Sequence, residues 1–299
     1  MKYDVVIIGG GLSALVCGIA LQKGGKRCLI VSAGQSALHF FSGSFDLIAT
    51  DRPFSEALQE LPSTHPYQKI GIDNVLRLER QVPDFFAEAG YALSGDCERN
   101  HMRVTPLGVR KPTWLTVEDK GCPPKWENLP LSPLGVDMQG DLRKYFVRLG
   151  GEYLGGDRVE RADFEEDRLV RVYTRNHGDS AFSADSFVLA TGSFFGGGLV
   201  ALSYQIKESA LGLDVDYFGS RPQWTAENMF DAQPYMKFGA ATRGKLYGVK
   251  NGKTVHNLYV IGSLLSGANP VKDGCGAGVA IISALYTSEN ILGNGREQL

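Results

Sequence analysis

The sequence has few cysteines, and their spacing does not suit a metal site or a disulfide framework. No two of them form a C-x-x-C pair, and their number is odd. Zinc and iron–sulfur sites need clustered thiolates, and small secreted domains usually carry cysteines in even numbers. We therefore expect no metal and a reducing compartment. The five cysteines are Cys17, Cys28, Cys97, Cys122 and Cys275.

Long apolar runs and an excess of one charge are also absent. No apolar run approaches the roughly 18 residues of a membrane span. Met1 lies almost directly before a strand-like run, so a secretory signal peptide is not expected. The net charge of −2 argues against nucleic acid and against an anionic membrane surface as partners. The 299 residues suit one large or two ordinary domains of a cytoplasmic protein.

Glycine, in contrast, is abundant, with 37 residues in 299, well above the usual ~7%. The β-branched run Val5–Ile8 is followed by Gly9-x-Gly11-x-x-Ala14 and by an apolar stretch of helical length, Leu12–Leu21. In this motif the first glycine makes a tight turn, the second admits a pyrophosphate, and the alanine lets helix and strand pack closely. The sequence therefore predicts a nucleotide site at a helix N-terminus. The N–H groups that would face the phosphates belong to Leu12, Ser13 and Ala14.

The second expected strand, Arg27–Val31, does not end in the acidic residue that usually binds an adenosine ribose. That residue normally stands about 20 positions after the glycine motif, whereas Ser32 occupies this place. No arginine follows closely to bind a 2′-phosphate, so a nicotinamide cofactor is disfavoured. Two flavins remain open. Either FAD is held by Ser32, Gln35 and Ser36 beside Gly34, or the ligand is FMN, which has no adenosine ribose.

Two later strands also end in glycine, which suggests an extended cofactor lying across a sheet edge. The alternating stretch Arg168–Thr174 reads as an antiparallel meander that leads into the apolar strand Asp185–Ser193. A further strand, Asn257–Ser263, precedes the glycine-rich turn Asp273–Gly278 and an apolar helix. Such a turn points backbone N–H groups at an anion. The residues expected to bind cofactor at the two strand ends are Ala190, Thr191, Gly192, Gly262 and Ser263.

These three glycine-containing strand ends together resemble the flavoproteins of the fumarate reductase and glutathione reductase type. The resemblance implies an α/β fold, with a Rossmann-like flavin-binding parallel sheet, an antiparallel meander and a smaller inserted α+β region. It also implies that the last helix points its N-terminus at the N1/O2 edge of a non-covalent flavin, and that the loop after the second strand passes beside the ring. The residues that these two roles concern are Ser42, Gly43, Ser44, Cys275, Gly276 and Ala277.

Longer stretches resemble the B subunit of the anaerobic glycerol-3-phosphate dehydrogenases, over residues 1–115 and 131–295. Members of that family carry a long segment before Leu134-Gly135, where this chain has only Thr116–Pro133. We therefore expect cofactor binding to be more secure than catalysis. The stretches that carry the resemblance are Gly34–Phe40, Ser42–Leu47, Val104–Gly108, Thr113–Leu115, Thr174–His177, Gly192–Phe195, Gly198–Ala201 and Gly212–Val215.

The resemblance implies a flavin-binding subunit of a quinone-linked complex that oxidises sn-glycerol 3-phosphate to dihydroxyacetone phosphate. Its partners would be a catalytic A subunit together with an iron–sulfur, membrane-associated C subunit. This cytoplasmic chain would then lie at the inner membrane through its partners. Two alternatives stay open. One is a stand-alone FAD-dependent dehydrogenase of another small organic acid or enone, and the other is a non-catalytic flavin-fold scaffold of the complex.

Three residues are candidates for substrate chemistry. His39 could accept a proton, as histidines often do in catalysis. The Ser44 hydroxyl could reach the flavin ring. Arg110, which lies near Arg103 and Lys111 in the sequence, could hold a substrate phosphate. Because no strong acid–base pair is evident, electron transfer is the favoured role of this chain.

We expect one flavin-binding domain that is interrupted by two excursions. The domain takes residues 1–48, 137–202 and 246–299, and the inserted substrate or partner region takes residues 49–136 and 203–245. Helices are expected at Phe54–Leu61, Val75–Glu88 and Asp137–Leu149, and a strand is expected at Met102–Val104.

Overall fold

The computed structural model describes residues 1–104, 108–118 and 132–294, in which helices pack on a central sheet. Cys122, most of Thr116–Pro133 and part of Val104–Gly108 lie outside these residues. The helices are α1 (Leu12–Lys23), α2 (Phe54–Ala57), α3 (Pro66–Ile70), α4 (Ile72–Glu79), α5 (Val82–Glu88), α6 (Pro133–Arg148) and α7 (Gly276–Asn294). The strands are β1 (Lys2–Ile8), β2 (Cys28–Ser32), β3 (Ser44–Phe45), β4 (Leu93–Gly95), β5 (His101–Val104), β6 (Arg110–Thr113), β7 (Leu115–Val117), β8 (Glu152–Gly155), β9 (Val159–Glu165), β10 (Arg168–Thr174), β11 (Phe182–Leu189), β12 (Leu199–Ala201), β13 (Ile206–Glu208), β14 (Val215–Asp216), β15 (Gly239–Ala240), β16 (Thr242–Arg243), β17 (Tyr247–Lys250) and β18 (Lys253–Val260).

The central sheet confirms the expected α/β fold with a parallel core and an antiparallel meander. Its strand order is β16-β17-β18-β11-β1-β2-β8, and the strands from β18 to β8 run parallel. The meander β9–β10 pairs antiparallel with the beginning of β11. Because β1, β11 and β18 are neighbours and parallel, their carboxyl ends meet at one edge of the sheet.

The sequence of β1 explains its central place. Val5, Val6 and Ile7 are fully buried, as expected for a parallel strand covered on both faces. Burying each such side chain stabilises the fold by about 1.5–3 kcal/mol. Helix α1 is apolar around most of its circumference because it packs on α7, on α6 and on the sheet. Among the helices described, none combines the length and the apolar character that crossing a membrane requires.

The inserted region is built from short elements, and here the expected helices were partly wrong. The single helix expected at Val75–Glu88 is two helices, α4 and α5, because the chain turns at Arg80–Gln81 and Pro83 lies in the first turn of the second one. Helix α3 was not expected. The expected strand at Met102–Val104 is confirmed as part of β5, which pairs with β6 in a hairpin. The division of the chain into domains stays a prediction.

Gly9 joins β1 to α1 under two constraints that only glycine satisfies. Its φ is +125°, and a Cβ at this position would overlap the backbone carbonyl of Ala190 at the end of β11. We expect Gly9→Ala to lower the free energy of unfolding by roughly 3 kcal/mol or more, from backbone strain and displacement of a core strand. Urea unfolding followed by circular dichroism measures this loss.

Gly25→Ala is the matched control, because Gly25 has a φ of +81° but no atom within 4 Å of its would-be Cβ. Its free energy of unfolding should fall by only about 1–2 kcal/mol, which is the cost of placing a residue with a side chain in the left-handed backbone region. Equal losses in the two variants would show that the approach of Gly9 to β11 is not tight.

Candidate cofactor site

The N-terminus of α1 lies open at the edge of the sheet where β1 ends. Gly11 is the N-cap residue, and no side chain caps the helix. The first hydrogen bond of the helix runs from the Leu15 N–H to the Gly11 carbonyl at 3.0 Å. The nearest atom to a would-be Cβ on Gly11 is the Ser36 Cβ at 3.5 Å. Uncapped N–H groups with free space before them fit a phosphate.

The end of β11 adds a buried hydroxyl to the same edge. The Ala190 N–H donates to the Ile8 carbonyl at 2.8 Å, so the two strand ends are held together. The Thr191 hydroxyl is buried and has no hydrogen-bond partner among the residues described. Gly192 turns the chain away with a φ of +83°. Because buried polar atoms are rarely left unpaired, the orphaned hydroxyl fits a bound ligand.

The end of β18 contacts both α1 and α7. The Gly262 N–H donates to the Ser283 Oγ of α7 at 2.9 Å, and a Cβ on Gly262 would lie 2.5 Å from the Ser13 Oγ of α1. Ser263, which is exposed, lines a cavity together with Phe194 and Cys275. The structure thus brings together the three predicted strand ends.

The first turn of α7 forms another wall of the cavity. Gly276 lines the cavity, and in the described part of the chain no acceptor is found for the N–H groups of Gly276 and Ala277. The positive end of the α7 dipole therefore favours negative charge here. This fits the predicted approach of α7 to the edge of a flavin.

The loop that leads into β3 lies against this turn. The Gly278 N–H donates to the Asp46 carbonyl at 2.9 Å, directly after β3. The hydroxyls of Ser42 and Ser44 are hydrogen-bonded to each other at 3.1 Å, and Gly43 has a φ of +84°. The two predicted groups of ring-binding residues, the Ser42–Ser44 loop and the α7 N-terminus, are therefore neighbours.

At the end of β2, the hydroxyls predicted to replace the missing acid contact the protein itself. The Ser32 Oγ contacts the backbone of Gly34 at 3.4 Å. The Ser36 Oγ donates to the Gln139 Oε1 at 2.9 Å, and the Gln139 Nε2 donates to the Gly10 carbonyl at 3.1 Å. Gln35 is exposed. The sequence did not predict the role of Gln139, because Gln139 and Gly10 are 129 positions apart and meet only in the folded chain.

Sequence reasoning also missed a buried cluster behind Cys275. The Cys275 Sγ lies 3.8 Å from the His65 Nε2, and the Asp273 carboxylate lies within 4.8 Å of both. Burial raises the pKa of the Cys275 thiol and lowers the pKa of His65 to about 4. The His65 Nδ1 accepts the Tyr67 N–H at 3.2 Å, so the proton of the neutral ring is on Nε2. In this tautomer Nε2 has no lone pair for a metal ion.

The three catalytic candidates occupy different places. Ser44 is buried at the Ser42–Ser44 loop. His39 lies in a short 3₁₀ helix, and its buried Nδ1 has no partner in the described residues. Arg110 is exposed and pairs with Val104 across the β5–β6 hairpin. Arg103, in contrast, donates from its Nη2 to the Ser42 carbonyl at 2.7 Å.

The comparisons with known proteins support a flavin cofactor. The family described as "FAD binding domain" matches residues 4–133 and 125–279. The B subunit of the anaerobic glycerol-3-phosphate dehydrogenase from Yersinia enterocolitica is 33% identical over 417 positions, covering 98% of each chain. The protein of the same name from Pectobacterium carotovorum is 32% identical over 419 positions, covering 99% of this chain and 100% of the relative. Since this chain has 299 residues, the relatives carry a long stretch that it lacks.

Solved structures share the fold at low sequence identity. A variant of the E. coli quinol fumarate reductase chain FrdA has a TM-score of 0.61 at 9% identity, covering 100% of this chain and 71% of its own. Mycobacterium smegmatis Sdh1 has a TM-score of 0.59 at 11% identity, covering 99% and 69%. The fold, the site and the sequence relatives lead to one conclusion: the chain belongs to the family of B subunits of the anaerobic glycerol-3-phosphate dehydrogenases, and it is an oxidoreductase subunit whose cofactor is a flavin.

Proposed function

We propose that this chain is the flavin-carrying subunit of a quinone-linked complex that oxidises sn-glycerol 3-phosphate to dihydroxyacetone phosphate. The observation that carries the proposal is the meeting of three strand ends and the uncapped N-terminus of α1 at one edge of the sheet, in a chain that aligns end to end with its sequence relatives. In this proposal its partners are a catalytic A subunit together with an iron–sulfur, membrane-associated C subunit, which place the complex at the inner membrane.

In this proposal, different groups of described residues bind the two ends of the cofactor. The N–H groups at the start of α1 hold a phosphate, and the Thr191 hydroxyl gains a hydrogen-bond partner. A bound flavin supplies the redox chemistry, since its ring takes up and releases electrons. The N-terminus of α7 places a positive potential at the edge of the ring.

The Cys275 thiol, next to the first turn of α7, does not oppose this potential. Burial raises the pKa of the Cys275 thiol, so the thiol stays protonated at neutral pH. The lowered pKa of His65 keeps that ring neutral as well. Cys275 therefore adds no negative charge beside the edge of the flavin ring, where the reduced ring would be negatively charged. No acid–base pair faces the cavity among the described residues, which supports a role in electron transfer.

The visible spectrum of the purified chain tests this function first. We expect the two absorption bands of an oxidised flavin, and chromatography of the cofactor released by heat identifies it as FMN or FAD. In the complex with its partners, sn-glycerol 3-phosphate should bleach these bands under anaerobic conditions.

Two other results would favour the alternatives. A colourless chain that binds neither flavin on incubation, yet still assembles with its partners, would indicate a scaffold. Reduction of a dye acceptor by the isolated chain with another organic acid or enone would indicate a stand-alone dehydrogenase.

A further inference from the structure

The β5–β6 hairpin presents a polar face to the interior and an apolar face to solvent. Along β5, His101 and Arg103 are half-buried, whereas Met102 and Val104 are exposed. Side chains alternate between the two faces of a strand, and directly opposite residues share a face. The pairing with β5 therefore shows on which face of the hairpin each residue of β6 lies. The inward face carries the opposite pairs His101 with Thr113 and Arg103 with Lys111, of which the Lys111 side chain is still 46% exposed.

This inward face lies on the Ser42–Ser44 loop and the residues after it. Arg103 donates to the Ser42 carbonyl at 2.7 Å, and Lys111 forms an ion pair with Asp46. The Asp46 backbone carbonyl accepts the N–H of Gly278 in the first turn of α7. The segment Ser42–Asp46 thus contacts the two cations on one side and the first turn of α7 on the other.

The charges of this face are not balanced by the protein. Like charges directly opposite across a strand pair destabilise it, yet Arg103 and Lys111 occupy such positions. Asp46 pairs with Lys111, and no carboxylate of the described ranges lies within ion-pair distance of Arg103. Burial lowers the pKa of Arg103, with Asp46 opposing this shift. A half-buried guanidinium without a carboxylate partner is costly unless an anion arrives.

Two polar atoms at this face also lack partners. Thr113 is fully buried, and its hydroxyl makes no hydrogen bond within the described residues. The second carboxylate oxygen of Asp46, Oδ1, is buried and unpaired as well. Native proteins rarely leave such atoms unsatisfied, so they indicate a missing ligand with both acceptor and donor groups. A phosphorylated alcohol has both.

We propose that Arg103 and Lys111 hold the phosphate of a phosphorylated small alcohol beside the flavin. A guanidinium fork next to an ammonium suits the oxygens of a phosphate monoester. The inference rests on the proposed function, and it assigns substrate binding to this chain in addition to its partners. It also replaces Arg110, which lies on the opposite face of the hairpin, as the phosphate-binding candidate.

Isothermal titration of the full-length, flavin-loaded chain tests the inference. Binding of sn-glycerol 3-phosphate is expected, and binding of glycerol is not. Arg103→Gln and Lys111→Gln should each weaken binding by about 10- to 100-fold, since each removes charged hydrogen bonds. Arg103→Lys should recover part of the loss, because it restores the charge without the fork. Thermal unfolding shows whether each variant remains folded.

Arg99→Gln is the control for a general loss of positive charge, and Arg110→Gln tests the rival cation. Both residues are exposed, and each variant should change affinity less than twofold. A larger effect of Arg110→Gln than of Lys111→Gln would overturn the assignment. Binding of inorganic phosphate without binding of sn-glycerol 3-phosphate would overturn it too, because the occupant would then be the free anion.

The two proposals fail in distinguishable ways. If the double variant Arg103→Gln/Lys111→Gln keeps full affinity and the complex still reduces its flavin with sn-glycerol 3-phosphate, the hairpin site is wrong and the proposed function stands. If the wild-type chain binds sn-glycerol 3-phosphate but no flavin, the proposed function is wrong, and only the assignment of Arg103 and Lys111 to the phosphate stands.

Discussion

Gly11→Val is expected to leave the chain folded and to remove its flavin. Gly11 has a φ of −85° and a ψ of −171°, which any residue can adopt. The nearest atom to a would-be Cβ is 3.5 Å away, so the folded chain has room for the side chain. The methyl groups of valine would fill the space before the α1 N-terminus, where the phosphate is expected to lie.

The expected size of the effect follows from the hydrogen bonds that are lost. Each bond from a backbone N–H to an anionic oxygen contributes about 1.5–3 kcal/mol, so losing two weakens flavin binding by at least about 100-fold. The ratio of visible to protein absorbance measures occupancy, and thermal unfolding without added flavin measures folding. Gly140→Val is the matched control, because a Cβ on Gly140 in α6 would meet nothing within 4 Å.

Normal occupancy in Gly11→Val would show that the phosphate is not held at this turn. Loss of both occupancy and folding would show that the turn is tighter than the structure indicates. The contrast with Gly9→Ala is informative for this reason: of two glycines in one motif, we expect one to be required by the fold and the other by the ligand.

The glycine motif could be predicted from sequence because its geometry is local. Strand, turn and helix follow each other within residues 1–25, and each glycine has a separate steric reason to be there. The loop at Ser42–Ser44 and the turn before α7 were predicted as parts of one site only through resemblance to a family. The structure supplies the physical link, the hydrogen bond from the Gly278 N–H to the Asp46 carbonyl.

The phosphate-binding candidates show what sequence alone could not decide. Arg110 and Lys111 are adjacent, and in a strand adjacent side chains lie on opposite faces, so an error of one residue in register exchanges them. Only the pairing of Arg103 with Lys111 settles which one faces inward. The contact between His65 and Cys275 joins residues 210 positions apart. No local pattern indicates such a contact.

Glu79 leads to the second large expected effect, a dependence of stability on pH. This α4 residue is fully buried, and neither carboxylate oxygen has a hydrogen-bond partner in the part of the chain described. Burial raises its pKa from 4.5 to about 8, while Arg80 lowers it and Asp96 and Glu98 raise it further. The folded chain therefore binds this proton more tightly than the unfolded chain does.

The sign of the effect follows from this difference. Below pH 4.5 the carboxyl is protonated in both states, and its contribution to stability is fully present. Between pH 4.5 and about 8 the unfolded chain releases the proton first, so the free energy of unfolding falls as the pH rises. Above about pH 8 the whole contribution, on the order of 5 kcal/mol, is lost.

Glu79→Gln isolates the charge, because glutamine has nearly the shape of a protonated glutamate and does not titrate. We expect the variant to be within about 1 kcal/mol of the wild type near about pH 5 and to be more stable by about 4 kcal/mol near about pH 8. Urea unfolding at both pH values measures the difference. Glu56→Gln, at an exposed position of α2, is the control and should change stability by less than about 0.5 kcal/mol. A gain in Glu79→Gln that is the same at both pH values would mean that packing, and not the buried charge, determines the cost of Glu79.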